Sequence, residues 1–521
     1  MSKTFTPRVF KKYLLASSIF TILLDIGCQS LQQQKSAVKV DLEIETSSHS
    51  FSKDILGVNS LLTQDLLTYR HPDLARKYQE SGSQVVRFPG GTPANFYNFE
   101  TGFLDEDPRS PKHMSMMKWM NDIMRNRQSD GYRTEDFVQF LKKTGSETNL
   151  VLNILTQDAE YTRRWLQLFK TQEQSVKYVE MGNEVYFGMY KNQLSDVDEY
   201  IHRAKEHAAA VRAVSPETKI GVVIPSQCFF LPNYLDNFQS GNRYIPRIDQ
   251  WYDRMAEEDF YDAIIIHFYP KMGVARDLPL EEFPAYPTLY RNCITHVNNK
   301  MPQSMEFFRK QFGDKEFWVT EWHVGGFSKK MRKVRLRHSY LGALYSTSFF
   351  LELFQYPEIK LSGHHSLPKL VTLPPNEDFI KSEQTHTQEL RKTANFSSLT
   401  YYKPAVEECH TYANVTVKGT LSYPGIDKLP GEVADLRAGY FSHEKGGYLY
   451  LINRFDRPYE IESIQWPGSQ SMKVLELTQM LAPEEGLDEE SIQVKEIAFD
   501  ANKTMLIPPY SALRIKVVND K

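Results

Sequence analysis

Residues 177–188 read KYVEMGNEVYFG. Tyr178, Val179, Glu180 and Met181 form a strand-like run, and it ends in Gly182-Asn183-Glu184. A free carboxylate placed where a buried strand gives out has two readings. One is a turn that happens to be acidic. The other is a reactive acid on the rim of a barrel, and the pattern around the stretch separates the two.

The run VKYVEMGNE is the fourth of a series. DILGVNSLL, SQVVRFPGG and TNLVLNILT precede it; TKIGVVIPS, YDAIIIHFYP, EFWVTEWHV and a weaker IKLSGHHSL follow. These runs are apolar on nearly every residue, as parallel strands covered on both faces must be. Helical patterns alternate with them. DEYIHRAKEHAAAVRAVSP puts Ile201, Ala204, Ala208 and Val211 on one stripe and stops at Pro216, and TEDFVQFLKKTG closes with Gly145. Eight strand–helix units predict an α/β fold, a (β/α)8 TIM barrel. A doubly wound sheet is the competing architecture, but no GxGxxG follows the first strand. Beyond about residue 390 the pattern changes to short alternating runs (YLYLINRF, YEIESIQWP, MKVLELT, SIQVKEIAF, SALRIKVV), which predict an all-β sandwich. The expected division is a signal and tether over 1–36, the barrel over 37–385 and the sandwich over 386–521, with the strand at 38–45 joining the sandwich.

Composition excludes several classes. The 521 residues are 41% hydrophobic and 24% charged, with a formal net charge of −3. Such a chain has no field to gather nucleic acid or an anionic membrane. Four cysteines, Cys28, Cys228, Cys293 and Cys409, have neither metal-site spacing nor the density of a disulfide framework. Lys3, Arg8, Lys11 and Lys12 precede the apolar run YLLASSIFTILL, which is short for a membrane span and leads into DIGCQS. A cysteine after Gly27 resembles a bacterial lipoprotein signal, although Asp25 stands where an aliphatic residue is usual. The expectation is export with Cys28 lipidated in the cell envelope, or secretion, so that the membrane is met only through the N-terminus.

Active sites of such barrels lie at the C-terminal ends of the strands. There the second run carries Arg87 and Gly90-Gly91-Thr92, the fourth Asn183 and Glu184, the sixth His267 and Tyr269, the seventh Glu321, Trp322 and His323, and the eighth His364 and His365. Two carboxylates on facing strands can cleave a glycosidic bond if their surroundings keep one protonated and the other ionised. Arg87 and Tyr269 suit the ionised one. Glu180 shares parity with Glu184 and reads as a buried structural carboxylate. His323, His364 and His365 show no i, i+4 pair and no supporting carboxylate, so neither metal nor cofactor is expected.

YVEMGNEVYFG and FWVTEWHVGG resemble the acid/base and nucleophile strands of the retaining glycoside hydrolase clan built on the (β/α)8 barrel. VVRFPGGTPANFYNFETG resembles the second-strand motif of α-L-arabinofuranosidases, and its GGT also resembles the heparanase and β-glucuronidase family. The chain departs from both patterns: Thr92 stands where arabinofuranosidases carry Asn, Val185 where heparanases carry Pro, and His323 is typical of neither. The resemblance implies Glu184 as acid/base and Glu321 as nucleophile. It further implies Asn183 on a sugar hydroxyl, Arg87 and Tyr269 orienting Glu321, and His267, Trp322 and His323 lining a carbohydrate site. The implied activity is arabinofuranosidase-like hydrolysis, the alternatives being a heparanase-like hexuronidase and a non-catalytic glycan-binding protein.

Overall fold

The computed structural model describes residues 36–61, 67–109, 111–226, 245–270, 272, 279–282, 284–325, 335–372, 389–426, 429–469, 471–500 and 504–520. The expected signal, tether and lipidation site at Cys28 lie outside the described residues, as does Cys228. Cys293 and Cys409 are buried free thiols. Among the described residues no helix is long and apolar enough to cross a membrane.

All eight apolar runs become strands, and they close into a parallel barrel. In chain order these are Gly57–Asn59, Val85–Phe88, Glu147–Val151, Tyr178–Met181, Lys219–Val223, Ala263–Phe268, Glu316–Trp322 and Ile359–His365. The fourth, sixth and most of the seventh are buried along their length because side chains fill the barrel inside and helices cover it outside. The helices form where the periodicity places them. Val197–Val214 starts at Asp196, whose side chain accepts from the Glu199 amide, and it buries Ile201, Ala204, Ala208 and Val211. Thr134–Thr144 ends at Gly145, whose φ of 70° is the left-handed cap a glycine takes at least cost.

The C-terminal part is one sheet of ten strands that curls around its own core. Leu449, Leu451, Ile515 and Val517 meet Val40, Leu42 and Ile44 inside it. The N-terminal strand Val38–Ile44 belongs to this sheet: it pairs antiparallel with Thr411–Lys418 and parallel with Tyr459–Gln465. Strand Gly446–Asn453 alternates its side chains between two cores. Leu449 and Leu451 face the curled interior, while Tyr450 stacks on Tyr402 of helix Ala394–Glu408 with centroids 4.6 Å apart. Phe441 packs edge-on against Phe354 at 4.9 Å, on the barrel helix Tyr340–Phe354. Each such aromatic pair adds about 0.5–1.5 kcal/mol beyond its buried area, so the sheet is welded to the barrel flank and holds the strands above it in place.

Candidate active site

Strand register assembles the site. His365 is opposite Asn59, Asn59 opposite Arg87 and Arg87 opposite Asn149, across four adjacent strands. On the other side of the barrel His267 is opposite Glu321. Residues at one register level of a barrel point into one layer, so these side chains share the barrel's upper interior.

Arg87 organises the layer. Its Nε and Nη2 donate to Glu180 Oε1 and Oε2 at 2.9 and 2.7 Å, its Nη1 to Glu321 Oε1 at 2.8 Å and its Nη2 to Asn183 Oδ1 at 2.8 Å. Glu180 is fully buried and takes a further bond from Asn149 Nδ2 at 2.6 Å. It is the anchor of Arg87, as its parity and burial suggest. Burial works against the Arg87 charge, but Glu180 and Glu321 outweigh it and keep the guanidinium protonated.

Glu184 sits beyond the strand end. Gly182 has φ 82° and Glu184 itself φ 48°, in a region an L side chain enters at a cost of about 1–3 kcal/mol. The turn is over-determined by Asn95. Its Nδ2 donates to the Asn183 carbonyl at 2.7 Å and its Oδ1 accepts from the Asn183 amide at 2.8 Å. The turn leaves the Glu184 side chain 15% exposed, whereas that of Glu321 is 6% exposed. Asn183 Nδ2 is buried with no acceptor among the described residues.

Glu321 is the most heavily solvated by protein groups. Tyr269 donates to its Oε2 at 2.7 Å, Arg87 holds its Oε1, Asn59 Nδ2 lies 3.5 Å from Oε1, and His365 Nδ1 is 3.8 Å from Oε2. Burial pushes the carboxyl up, but His267, Arg87 and the Tyr269 hydroxyl outweigh it and hold Glu321 well below the usual carboxylate range. His267 Nδ1 bridges the two acids, 2.8 Å from Glu184 Oε1 and 3.7 Å from Glu321 Oε2. Burial opposes its charge, and the Glu321 and Glu184 carboxylates outweigh burial and raise its pKa. His365, by contrast, is pushed down to about 3 by burial and by Lys369, so it stays neutral beside Glu321. One carboxylate oxygen of Glu184, one of Glu321 and one ring nitrogen of His267 lie within 4.8 Å of one another. Three such donors could converge on a cation. The 2.8 Å contact is a hydrogen bond between His267 Nδ1 and Glu184 Oε1 that couples the two groups.

The loop after the second strand closes over Glu321. Gly90 and Gly91 have φ 81° and 61°. A Cβ on Gly90 would lie 1.9 Å from Asn59 Oδ1, and one on Gly91 would be 2.8 Å from Leu61 Cδ1 and 3.8 Å from Glu321 Oε1. Only glycine admits both the backbone and the approach.

Of the residues singled out in the sequence, Arg87, Asn183, Glu184, His267, Tyr269 and Glu321 come together. Trp322 and His323 do not join them. Trp322 follows Glu321 by one residue, so it points outward. It is fully buried among Phe349, Phe350 and His364 and donates to Ser362 Oγ at 3.1 Å. His323 packs on His364 with rings 4.6 Å apart and bonds the Arg337 carbonyl at 3.1 Å. Burial first, then neighbouring charges, keep its pKa far below the ordinary value. Asn59, Asn95 and Asn149 are the additions, and of the two histidines on the eighth run His365 joins the site while His364 packs against Trp322 and His323. Asn59 ends its strand, which was an available signal; Asn149 lies mid-strand and Asn95 in the turn Thr92–Phe96, and register was what the sequence lacked.

This architecture has solved counterparts. The α-L-arabinofuranosidase of Thermotoga maritima superposes with a TM-score of 0.66 at 15% identity, over 92% of this chain and 100% of that one. A family 51 α-L-arabinofuranosidase from Bifidobacterium longum gives 0.68 at 13% identity, over 92% and 99%. A family 44 xyloglucanase from Paenibacillus polymyxa gives 0.60 at 12% identity, over 93% and 100%. The chain has the fold of these glycoside hydrolases. The shared part includes barrel and sheet together, since it spans almost all of each protein. No protein-family model and no curated protein matches the sequence.

Proposed function

We propose that this protein is a retaining glycoside hydrolase with arabinofuranosidase-like activity on a polysaccharide or oligosaccharide. The observation that carries the reading is the approach of Glu184 and Glu321, with carboxylate oxygens within 4.8 Å in sharply different surroundings. Retaining enzymes set their two carboxyl groups about 5–5.5 Å apart, whereas inverting ones leave about 6.5–9.5 Å for a water.

In this reading Glu321 is the nucleophile. Arg87 and Tyr269 keep it ionised and fix both of its oxygens. Glu184 is the acid/base: more exposed, turned out of the strand and hydrogen-bonded to His267, with which it shares a proton. Glu184 protonates the departing oxygen while Glu321 attacks the anomeric carbon. Water activated by Glu184 then releases the sugar with its configuration retained. The buried, unpartnered Nδ2 of Asn183 supports a hydrogen bond to a sugar hydroxyl beside the nucleophile. The arabinofuranoside choice rests on the second-strand loop and on the fold shared with enzymes of that name. The basic, apolar start before Cys28 supports export with a lipid anchor.

The test is a panel of aryl α-L-arabinofuranosides, β-glucuronides and β-galactosides, assayed with the wild type, Glu184→Ala and Glu321→Ala. Arabinofuranoside cleavage abolished by Glu321→Ala supports the proposal. Cleavage of glucuronides alone transfers the chain to the hexuronidase reading. Glycan binding without turnover in any variant leaves a binding protein.

A further inference from the structure

The C-terminal sheet carries a recess that shares no lining residue with the carboxylate site. The parallel strands Val38–Ile44 and Tyr459–Gln465 end at the same edge, with Glu43 opposite Gln465. Each gives way to a loop, and a groove of about 590 Å3 opens between the loops, within the range that small-ligand sites occupy. Ile44, Ile464, Trp466 and Pro467 supply an apolar side; Glu45, Thr46, Ser47 and Gln465 supply a polar one.

Trp466 is held in place. It packs edge-on against the buried Tyr440, with centroids 5.5 Å apart and planes at 68°, and rests on the curled sheet's core. Neither its indole N–H nor the side chains of Gln465 and Thr46 have a partner among the described residues. A fixed aromatic surface beside free donors and acceptors is complementary to a pyranose ring, which has apolar C–H faces and a polar rim, and its rigidity lowers the ordering cost of binding. Charge narrows the ligand class. Glu43 is paired with Lys418 at 2.5 Å, but Glu45 has no cation among the described residues and only the Ser47 hydroxyl at 3.4 Å. An unpaired carboxylate at the rim disfavours uronates and sulfated glycans.

We propose that this groove is a second, non-catalytic glycan site, which takes a neutral polysaccharide with one pyranose ring laid on Trp466. It goes beyond the hydrolase reading and stands independently of it. A barrel that acts on a chain would gain from a second hold on the same polymer, because the second contact is made at high effective concentration.

Affinity gel electrophoresis of the full chain carrying Glu184→Gln tests it, with wheat arabinoxylan, xyloglucan and mixed-linkage β-glucan in the gel and polygalacturonate as the anionic control. The expected result is retardation by at least one neutral polymer and none by polygalacturonate. Trp466→Ala should weaken that retardation roughly three- to tenfold, as removal of an aromatic contact does, and Trp466→Phe should keep most of it. Ser47→Arg fills the groove from an exposed wall without touching the core and should have the effect of Trp466→Ala. Either variant in the otherwise wild-type chain should hydrolyse a small aryl glycoside at the wild-type rate. The proposal is overturned if no neutral polymer retards the protein, if neither variant changes the retardation, or if polygalacturonate is held as strongly. Trp466-dependent retardation without any glycoside turnover would remove the hydrolase reading and leave this site standing.

Discussion

Arg87 and Glu180 form a bidentate pair inside the barrel, Nε to Oε1 at 2.9 Å and Nη2 to Oε2 at 2.7 Å, with neither side chain in contact with bulk water. Breaking such a pair strands a buried charge at a cost of about 3–5 kcal/mol. Glu180→Gln should therefore lower the denaturant midpoint by a corresponding amount. Arg87→Met/Glu180→Leu should recover only part of the stability, since it removes the desolvation penalty of this pair but leaves the buried Glu321 without its guanidinium, and for the same reason the chain should be inactive. Equilibrium unfolding alongside aryl glycoside assays separates the two effects.

The Tyr269 hydroxyl contributes a hydrogen bond to an ionised group, worth about 1.5–3 kcal/mol. Tyr269→Phe should reduce kcat/KM roughly 10–100-fold. It should also move the acid limb of the pH–rate profile upward, because Glu321 loses one of the groups that hold it ionised. A profile that keeps its acid limb would remove Tyr269 from this role.

Azide distinguishes the two acids. With Glu184→Ala, loss of acid/base assistance should slow hydrolysis about 10²–10⁴-fold for poor leaving groups. Azide should then accelerate breakdown of the glycosyl-enzyme and give a glycosyl azide of retained configuration. With Glu321→Ala, azide takes the place of the nucleophile and the product should be inverted. The same product from both variants would contradict the assignment of roles.

Stability should depend on pH with opposite signs at two residues. The folded pKa of Glu321 lies below the ordinary carboxyl value of about 4.3, so its contribution is complete above that value and is lost as pH falls through the folded one. The folded pKa of His267 lies above the ordinary value of about 6.5, so its contribution is complete below that value and is lost as pH rises through the folded one. The unfolding free energy should be greatest between the two. Glu321→Gln should flatten the acid side and His267→Asn the alkaline side in urea titrations across the pH range.

Gly90→Ala should be more damaging than its size suggests. The added carbon would meet Asn59 Oδ1 at 1.9 Å in a left-handed backbone, so the Asn59 contacts with Glu321 and His365 would have to give way. Loss of turnover with a folded circular dichroism spectrum is the expected outcome.

The barrel was legible because period and polarity act locally: eight apolar runs and their caps announce themselves within a dozen residues. Glu184 and Glu321 stood out because each ends a run. At Trp322 the local pattern misleads. A site role was expected from its neighbour, although alternation along a strand sends residues 321 and 322 to opposite faces. Asn59 is not legible as a site residue, and His365 stands at its strand end without a legible role, for a different reason. Their meeting, Nδ2 to Nδ1 at 3.0 Å, depends on the register between the first and last barrel strands, 306 residues apart, and no local pattern encodes that.

The strand Val38–Ile44 also bears on biogenesis. It is made long before its parallel neighbour: 423 positions separate Lys39 from its ion partner Glu462. One edge stays unpaired until Thr411–Lys418 is made and the other until Tyr459–Gln465 is, an open invitation to pair with another nascent chain. The two later-made neighbours thus silence both adhesive edges, and products terminated before residue 459 should aggregate even when every barrel residue is present.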